Sequence, residues 1–225
     1  MDLIEAAKQG NIVAVWDAIE KGADVNAREK TSIGWTALMY ASTNGNAGIV
    51  KLLIREGADI SAVDNSGWTA LMYASAGGQA EIVKLLIEKS TDVNARSIAI
   101  NTVFMPALTV GQAEIVKLLI EEGADINAKD SEYGKTALIT ASAVGYTEIV
   151  RLLIEKGADI NTGDKLGHTA LMAASIGGYT ETVKLLIEKG ADVNTRDNLG
   201  YTALTHASIS GYTEIVSLLK AAGAL

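Results

Sequence analysis

Gly10, Gly45, Gly78, Gly111, Gly145, Gly178 and Gly211 follow one another at spacings of 35, 33, 33, 34, 33 and 33 residues. A unit of this length cannot bury an apolar face alone, so a chain with such a period folds as an array in which each copy seals its neighbour. The copies share one run of sequence, Gly67-Trp-Thr-Ala-Leu-Met-Tyr-Ala-Ser-Ala-Gly-Gly78-Gln-Ala-Glu-Ile-Val-Lys-Leu-Leu-Ile-Glu88, which starts again at Gly34, Gly134, Gly167 and Gly200.

Within a copy, the threonine before Ala-Leu is placed to accept a backbone N–H from the first turn of a short helix over 70–76, which Gly78 ends. A second helix follows, in which Ile82, Val83, Leu85, Leu86 and Ile87 make a stripe too wide for a single contact. It is expected to be buried on more than one side, each large apolar side chain contributing roughly 1.5–3 kcal/mol before entropy is subtracted. Lys84 and Glu88, Lys117 and Glu121, Arg151 and Glu155, and Lys184 and Glu188 stand four apart and read as a solvated outer face of weak pairs. Gly57, Gly123, Gly157 and Gly190 suit a left-handed helix end, and Asp64 to Gly67 or Asp197 to Gly200 predicts a hairpin-like turn projecting from the stack. Asp24, Asp59, Asp92, Asp125, Asp159 and Asp192 share one turn position and read as local backbone acceptors. Ser42, Ser75, Ser142, Ser175 and Ser208 are expected on the packed side of the first helix, each bonding a preceding carbonyl.

These linked motifs resemble those of the ankyrin repeat family. The family's Thr-Pro-Leu-His-x-Ala-Ala box reads here as Thr36-Ala-Leu-Met-Tyr-Ala-Ser42, and again from Thr69 to Ser75, Thr136 to Ser142, Thr169 to Ser175 and Thr202 to Ser208. Its Gly-Ala-Asp-Val-Asn turn recurs at Gly22, Gly57, Gly123, Gly157 and Gly190, while Ala replaces the family proline and Met, Ile or Thr its histidine. The resemblance covers essentially the whole chain. It implies an all-α ankyrin-type solenoid of stacked helix-turn-helix units with β-hairpin-like fingers, about seven repeats including caps. One domain over 1–225 is expected, with an N-terminal capping repeat at 1–33, interior repeats at 34–66, 67–99, 100–133, 134–166 and 167–199, and a C-terminal cap at 200–225. Asp17 and Lys220 stand where interior copies carry Leu or Ile and are read as polar caps of an array complete within this chain.

The chain has no cysteine, which excludes disulfides and thiolate zinc sites and suits a reducing compartment. No basic segment followed by an apolar run opens it, and no stretch reads as a membrane span. A net charge of -8 repels phosphate backbones, so nucleic acid is not an expected partner. A monomer is expected, cytoplasmic or translocated into a host cell without a classical signal peptide, with no membrane partner.

The fourth copy departs from the pattern. Ser90-Thr91 replaces Gly-Ala, Ser97 the turn aspartate and Ile100 the turn glycine, and Pro106 falls inside the first helix if Thr102 caps it. Drift tolerated by strong neighbours is one reading, and a bent finger around 97–104 that takes part in recognition is another.

Function is sought where residues vary while their surroundings repeat. The position after the turn glycine runs Trp35, Trp68, Asn101, Lys135, His168, Tyr201, and one position of the first helix runs Tyr40, Tyr73, Pro106, Thr140, Ala173, His206. The family resemblance implies a noncatalytic protein–protein interaction module that grips its partner on a concave finger and first-helix surface. The partner-binding residues are then Trp35, Tyr40, Trp68, Tyr73, Asn101, Lys135, His168, Tyr201 and His206. Stacking of adjacent units about 8–10 Å apart is expected to gather Trp35, Tyr40, Trp68 and Tyr73 into one cluster, of the kind that anchors interfaces. Alternatively the rings simply cover the hairpins, although Lys135 and His168 at the same position show that the turn itself needs no aromatic. Replacing Trp35 and Trp68 by Ala is expected to leave thermal unfolding nearly unchanged. No enzyme, metal or cofactor is expected: His168 and His206 lie a repeat apart on different elements, and Ser208 and His206 diverge on one helix. Two alternatives are an engineered or purely structural scaffold without a natural partner, and small-molecule or glycan binding at Trp35 and Trp68.

Overall fold

The structure is a computed structural model that describes residues 1–89, 107–108, 112–130 and 132–225. The irregular finger, with Ser97, Asn101 and Pro106, lies outside the described residues, as does Asp92. The chain divides into two compact units, Met1–Ala124 and Asp125–Leu225. In the first unit the helices are α1 (Leu3–Lys8), α2 (Ile12–Glu20), α3 (Ala37–Thr43), α4 (Ala47–Arg55), α5 (Ala70–Ala76), α6 (Ala80–Lys89) and α7 (Ala113–Glu121). In the second they are α8 (Ala137–Ala143), α9 (Thr147–Glu155), α10 (Ala170–Gly177), α11 (Thr180–Glu188), α12 (Ala203–Ile209) and α13 (Thr213–Ala221). The architecture is the expected all-α stack. First helices pack in succession, α1 on α3 on α5 and α8 on α10 on α12, and second helices do the same behind them.

Asp2 caps α1 by accepting the Glu5 amide, and each later first helix starts where threonine leaves the extended region and its Oγ1 accepts the backbone N–H three residues on. The Met39, Met72, Ile139, Met172 and Thr205 amides are the donors to Thr36, Thr69, Thr136, Thr169 and Thr202. At three caps the residue that replaces the family histidine closes the box: Met39 Sδ and Met72 Sδ accept the Thr36 and Thr69 amides at 3.5 and 3.3 Å, and Thr205 Oγ1 accepts that of Thr202 at 3.3 Å.

Second helices α4, α7, α9, α11 and α13 lack a side-chain cap. In the second unit the residue at this position does other work. Tyr179 and Tyr212 lie across Gly145 and Gly178 of the preceding repeat, so close that an added Cβ would fall 2.3 and 2.6 Å from the rings. Both glycines also hold φ +75°, so at these two positions the period marks a left-handed helix end and a bare patch for the next repeat's ring. The apolar stripes behave as read: Ile49, Val50 and Leu53 of α4, Ile82, Val83 and Leu86 of α6, and Ile149, Val150 and Leu153 of α9 are buried. Thr182 stands where other copies carry Ile; buried, it bonds Thr147 of the preceding second helix at 2.8 Å.

The turns are linked by side chains whose role the motif alone did not disclose. Asp24, Asp59, Asp125, Asp159 and Asp192 each accept the amide two residues on, as expected. The asparagine of the same turn reaches the next repeat: Asn26, Asn127 and Asn161 accept the backbone N–H of Asp59, Asp159 and Asp192 at 2.7–2.9 Å. Fingers join by backbone bonds, from Asn65 to Ile33, Lys165 to Tyr133 and Asn198 to Leu166.

Several expectations are corrected. Ser75, Ser175 and Ser208 bond the carbonyl four residues back, but the buried hydroxyls of Ser42 and Ser142 have no partner among the described residues. Ser208, unlike the others, is exposed. On the outer face Lys117 does meet Glu121, at 3.9 Å, whereas Arg151 and Lys184 turn back to Glu148 and Glu181 three residues earlier. At the N-terminal end Asp17 is exposed and paired with Lys21, yet Ile12, Val13 and Trp16 of α2 are exposed too, so that face is only partly polar.

Candidate functional site

In the first unit the site is built around a buried carboxylate. Asp64 opens a finger turn, and its Oδ1 accepts the amides of Ser66 and Trp68 at 2.8 and 2.9 Å, which fixes the carboxylate plane. The other oxygen, Oδ2, therefore faces the first helices, where it accepts the Trp35 indole N–H at 3.2 Å and the Tyr73 hydroxyl. Trp35 Nε1 also lies 2.9 Å from Tyr73 Oη. Around these bonds the rings form a row, Tyr40 to Trp35 at 4.7 Å between centroids, Trp35 to Tyr73 at 4.3 Å and Tyr73 to Trp68 at 5.0 Å. Such spacings are those of favourable tilted aromatic pairs. All four rings are half-buried, so the cluster is held from below and open above.

The electrostatics follow from that arrangement. Burial pushes the Asp64 carboxyl up, but hydrogen bonds from Tyr73, the Trp68 and Ser66 amides and Trp35 outweigh it and hold it below the ordinary carboxylate value. Tyr73 moves the opposite way, raised by burial and by donating to Asp64. Tyr40 is pushed up to about 12, by burial and then by its 2.9 Å bond to Glu29. The Lys8 ammonium stands 5.5 Å over the Tyr40 ring.

The second unit repeats the plan with other side chains. Asp197, also buried, accepts the Leu199 and Tyr201 amides on Oδ1, each at 2.9 Å. Its Oδ2 lies 2.8 Å from His206 Nε2 and 3.5 Å from His168 Nε2. His168 stands at the position of Trp35 and His206 at that of Tyr73, so two imidazoles replace indole and phenol around the same carboxylate. The rings of His168 and His206 meet edge to face at 5.5 Å, and Tyr201, more exposed, meets His206 edge to face at 5.7 Å. Burial raises the Asp197 carboxyl, and the Tyr201 amide, His206 and the Leu199 amide more than reverse it. Lys135 belongs to a neighbouring finger, half-buried, with its ammonium 5.1 Å from the Tyr133 ring.

The expected residues are thus gathered into two clusters, one per unit, while Asn101 lies outside the described residues. Three expectations change. The histidines do not stay a repeat apart: stacking brings both to Asp197, because the finger of one repeat lies over the first helix of the next. The first-helix positions of Tyr40, Tyr73, Thr140, Ala173 and His206 are half-buried rather than exposed. The slot that small-molecule or glycan binding between Trp35 and Trp68 would need is occupied by Tyr73, whose ring packs 4.3 and 5.0 Å from the two indoles. In sequence, Asp64 and Asp197 mark only turns; the available signal of more is their distance of nine residues from Tyr73 and His206. Trp16 carries no repeat signal of its own. It lines, with Ile12, Val13, Gly48, Leu52 and Arg55, a groove of about 510 Å³ between α2 and α4.

Comparison with known proteins supplies the family. A family model described as ankyrin repeats, in 3 copies, matches residues 3–97, 99–164 and 157–224. The crystal structure of the ankyrin repeat domain of Bcl-3, described as a unique member of the IkappaB protein family, superposes with a TM-score of 0.84 at 28% identity over 98% of each chain. Among curated proteins, the mitochondrial disaggregase of Bos taurus is 44% identical over 28% of this chain and 9% of its own length. The 2-5A-dependent ribonuclease of Mus musculus is 49% identical over 25% of this chain and 8% of its own. The chain therefore spans under a tenth of these curated relatives, and the likeness is one of repeats. Among the described residues no helix is long and apolar enough to cross a membrane.

Proposed function

The chain belongs to the ankyrin repeat family, whose repeats are generally noncatalytic protein-interaction modules, and we propose that it recognises a protein partner through its fingers and first helices. The observation that carries this reading is the half-buried row Tyr40, Trp35, Tyr73 and Trp68, in which Asp64 holds the Trp35 and Tyr73 side chains from beneath and Glu29 holds Tyr40. Aromatic anchors that are already immobile lose little rotamer entropy on binding, and residues of this kind dominate interface energetics. Lys135, His168, Tyr201 and His206 offer the second unit's more polar counterpart, with Asn101 assigned to the same surface from its sequence position. The partner is a protein rather than nucleic acid, given the charge of -8, and the working form is taken to be a monomer in the cytoplasm or delivered to a host cell.

The test is affinity capture from native extract followed by titration of the captured partner. Trp35→Ala is the less informative change, because it also strips a donor from Asp64 and so mixes binding with stability. Trp68→Ala is the informative change. It should leave the melting curve close to the parent's while weakening binding by about 2 kcal/mol or more. Unchanged affinity in the Trp68→Ala and Tyr40→Ala variants refutes this surface.

A further inference from the structure

We propose that His168, Asp197 and His206 form a binding site for a late first-row divalent cation, with Zn²⁺ as the representative ion. One ligand atom from each residue lies within 4.8 Å of the other two. Two imidazole nitrogens and a carboxylate oxygen are the donor set that such ions take, and it leaves coordination positions free for water or a fourth group. Ligands on bonds of about 2.0–2.1 Å sit about 3.4 Å apart in a tetrahedral set. Asp197 Oδ2 already stands 2.8 and 3.5 Å from the two Nε2 atoms, and no two of the three ligand atoms are more than 4.8 Å apart, close to that spacing.

The carboxylate is prepared for this role. The Leu199 and Tyr201 amides occupy Oδ1, which leaves Oδ2 as the oxygen turned toward both rings. The Asp197 side chain is 1% exposed, and those of His206 and His168 are 14% and 26% exposed. An ion held there has a rigid anionic floor and an opening on the His168 side. Asp164 stands behind His168, its Oδ2 3.7 Å from Nδ1. With Nε2 on an ion, the His168 proton sits on Nδ1 and faces that carboxylate, the second-layer arrangement common to ligating histidines. In the bound state both rings carry their proton on Nδ1.

The first unit provides the contrast. Around Asp64 the same two positions hold Trp35 and Tyr73, whose indole N–H and hydroxyl fill Oδ2 as proton donors. Indole nitrogen has no free lone pair for a metal, so that socket does not chelate. Replacing both donors by the chain's only two histidines converts a closed socket into a chelating one.

The full chain is titrated with Zn²⁺ while the ring proton resonances of its two histidines are followed by NMR. Both should shift together and stop at one equivalent, and the melting temperature should rise with added ion. The His168→Trp/His206→Tyr variant, which rebuilds the residue pair around Asp64, should fold and lose the Zn²⁺-dependent rise in melting temperature. A parent whose histidine resonances ignore one equivalent of Zn²⁺ overturns the proposal, and so does a variant stabilised as much as the parent. Should that variant fail to fold, the parent's two resonances still decide, because binding elsewhere would leave them unmoved.

Discussion

Asp64 shows how much of this molecule is decided by single protons. Its carboxylate is buried and accepts two side-chain and two backbone donors. A carboxyl held below its ordinary value contributes stability that is present above the unfolded-state value, about 3.9, and is lost as the pH falls through the lower folded-state value. Tyr73→Phe removes the leading hydrogen-bond contribution, so this variant should be less stable at neutral pH by about 1.5–3 kcal/mol and should lose less on acidification. Thermal melts between neutral pH and about pH 2 check both signs; a variant with the parent's acid sensitivity would mean that Tyr73 does not hold the carboxylate. The turn aspartates at 64 and 197 were legible as turn formers, because Asp-x-x-Gly is a local signal. Their second oxygen was not, since its partners come from the preceding repeat and from nine residues onward, and only stacking brings those together.

Among the elements, the first helices were readable almost to the residue, because threonine caps and left-handed glycines are local devices. What escaped was contact between copies, as with Tyr179 over Gly145, Asn26 to the Asp59 amide, or Thr182 on Thr147. The serines within these helices carry a prediction, because identical residues sit in unlike circumstances. The Ser175 hydroxyl donates to the Leu171 carbonyl at 2.7 Å, so Ser175→Ala should cost about 0.5–1.5 kcal/mol. In α8 the Ser142 hydroxyl is buried without a partner among the described residues, so Ser142→Ala removes an unmet desolvation cost and should be neutral or stabilising. Denaturant melts of the two variants give the order; an equal loss in both would contradict the difference in bonding.

For the whole molecule, the surplus of acid decides which encounters are productive. With 27 Asp and Glu against 19 Lys and Arg, and a pI near 4.8, the chain should show no measurable affinity for duplex DNA at physiological salt. Fluorescence anisotropy with a labelled duplex checks this, and salt-sensitive binding would reveal a basic patch that the sum conceals. The tyrosines laid across glycines have a use of their own. The Gly145 and Gly178 α-protons that stand where a side chain would start point into the rings of Tyr179 and Tyr212, so ring currents should carry them far upfield into an empty part of the spectrum. Each resonance is then a built-in gauge of one junction, and the order in which the two return to ordinary shifts on warming tells which seam parts first.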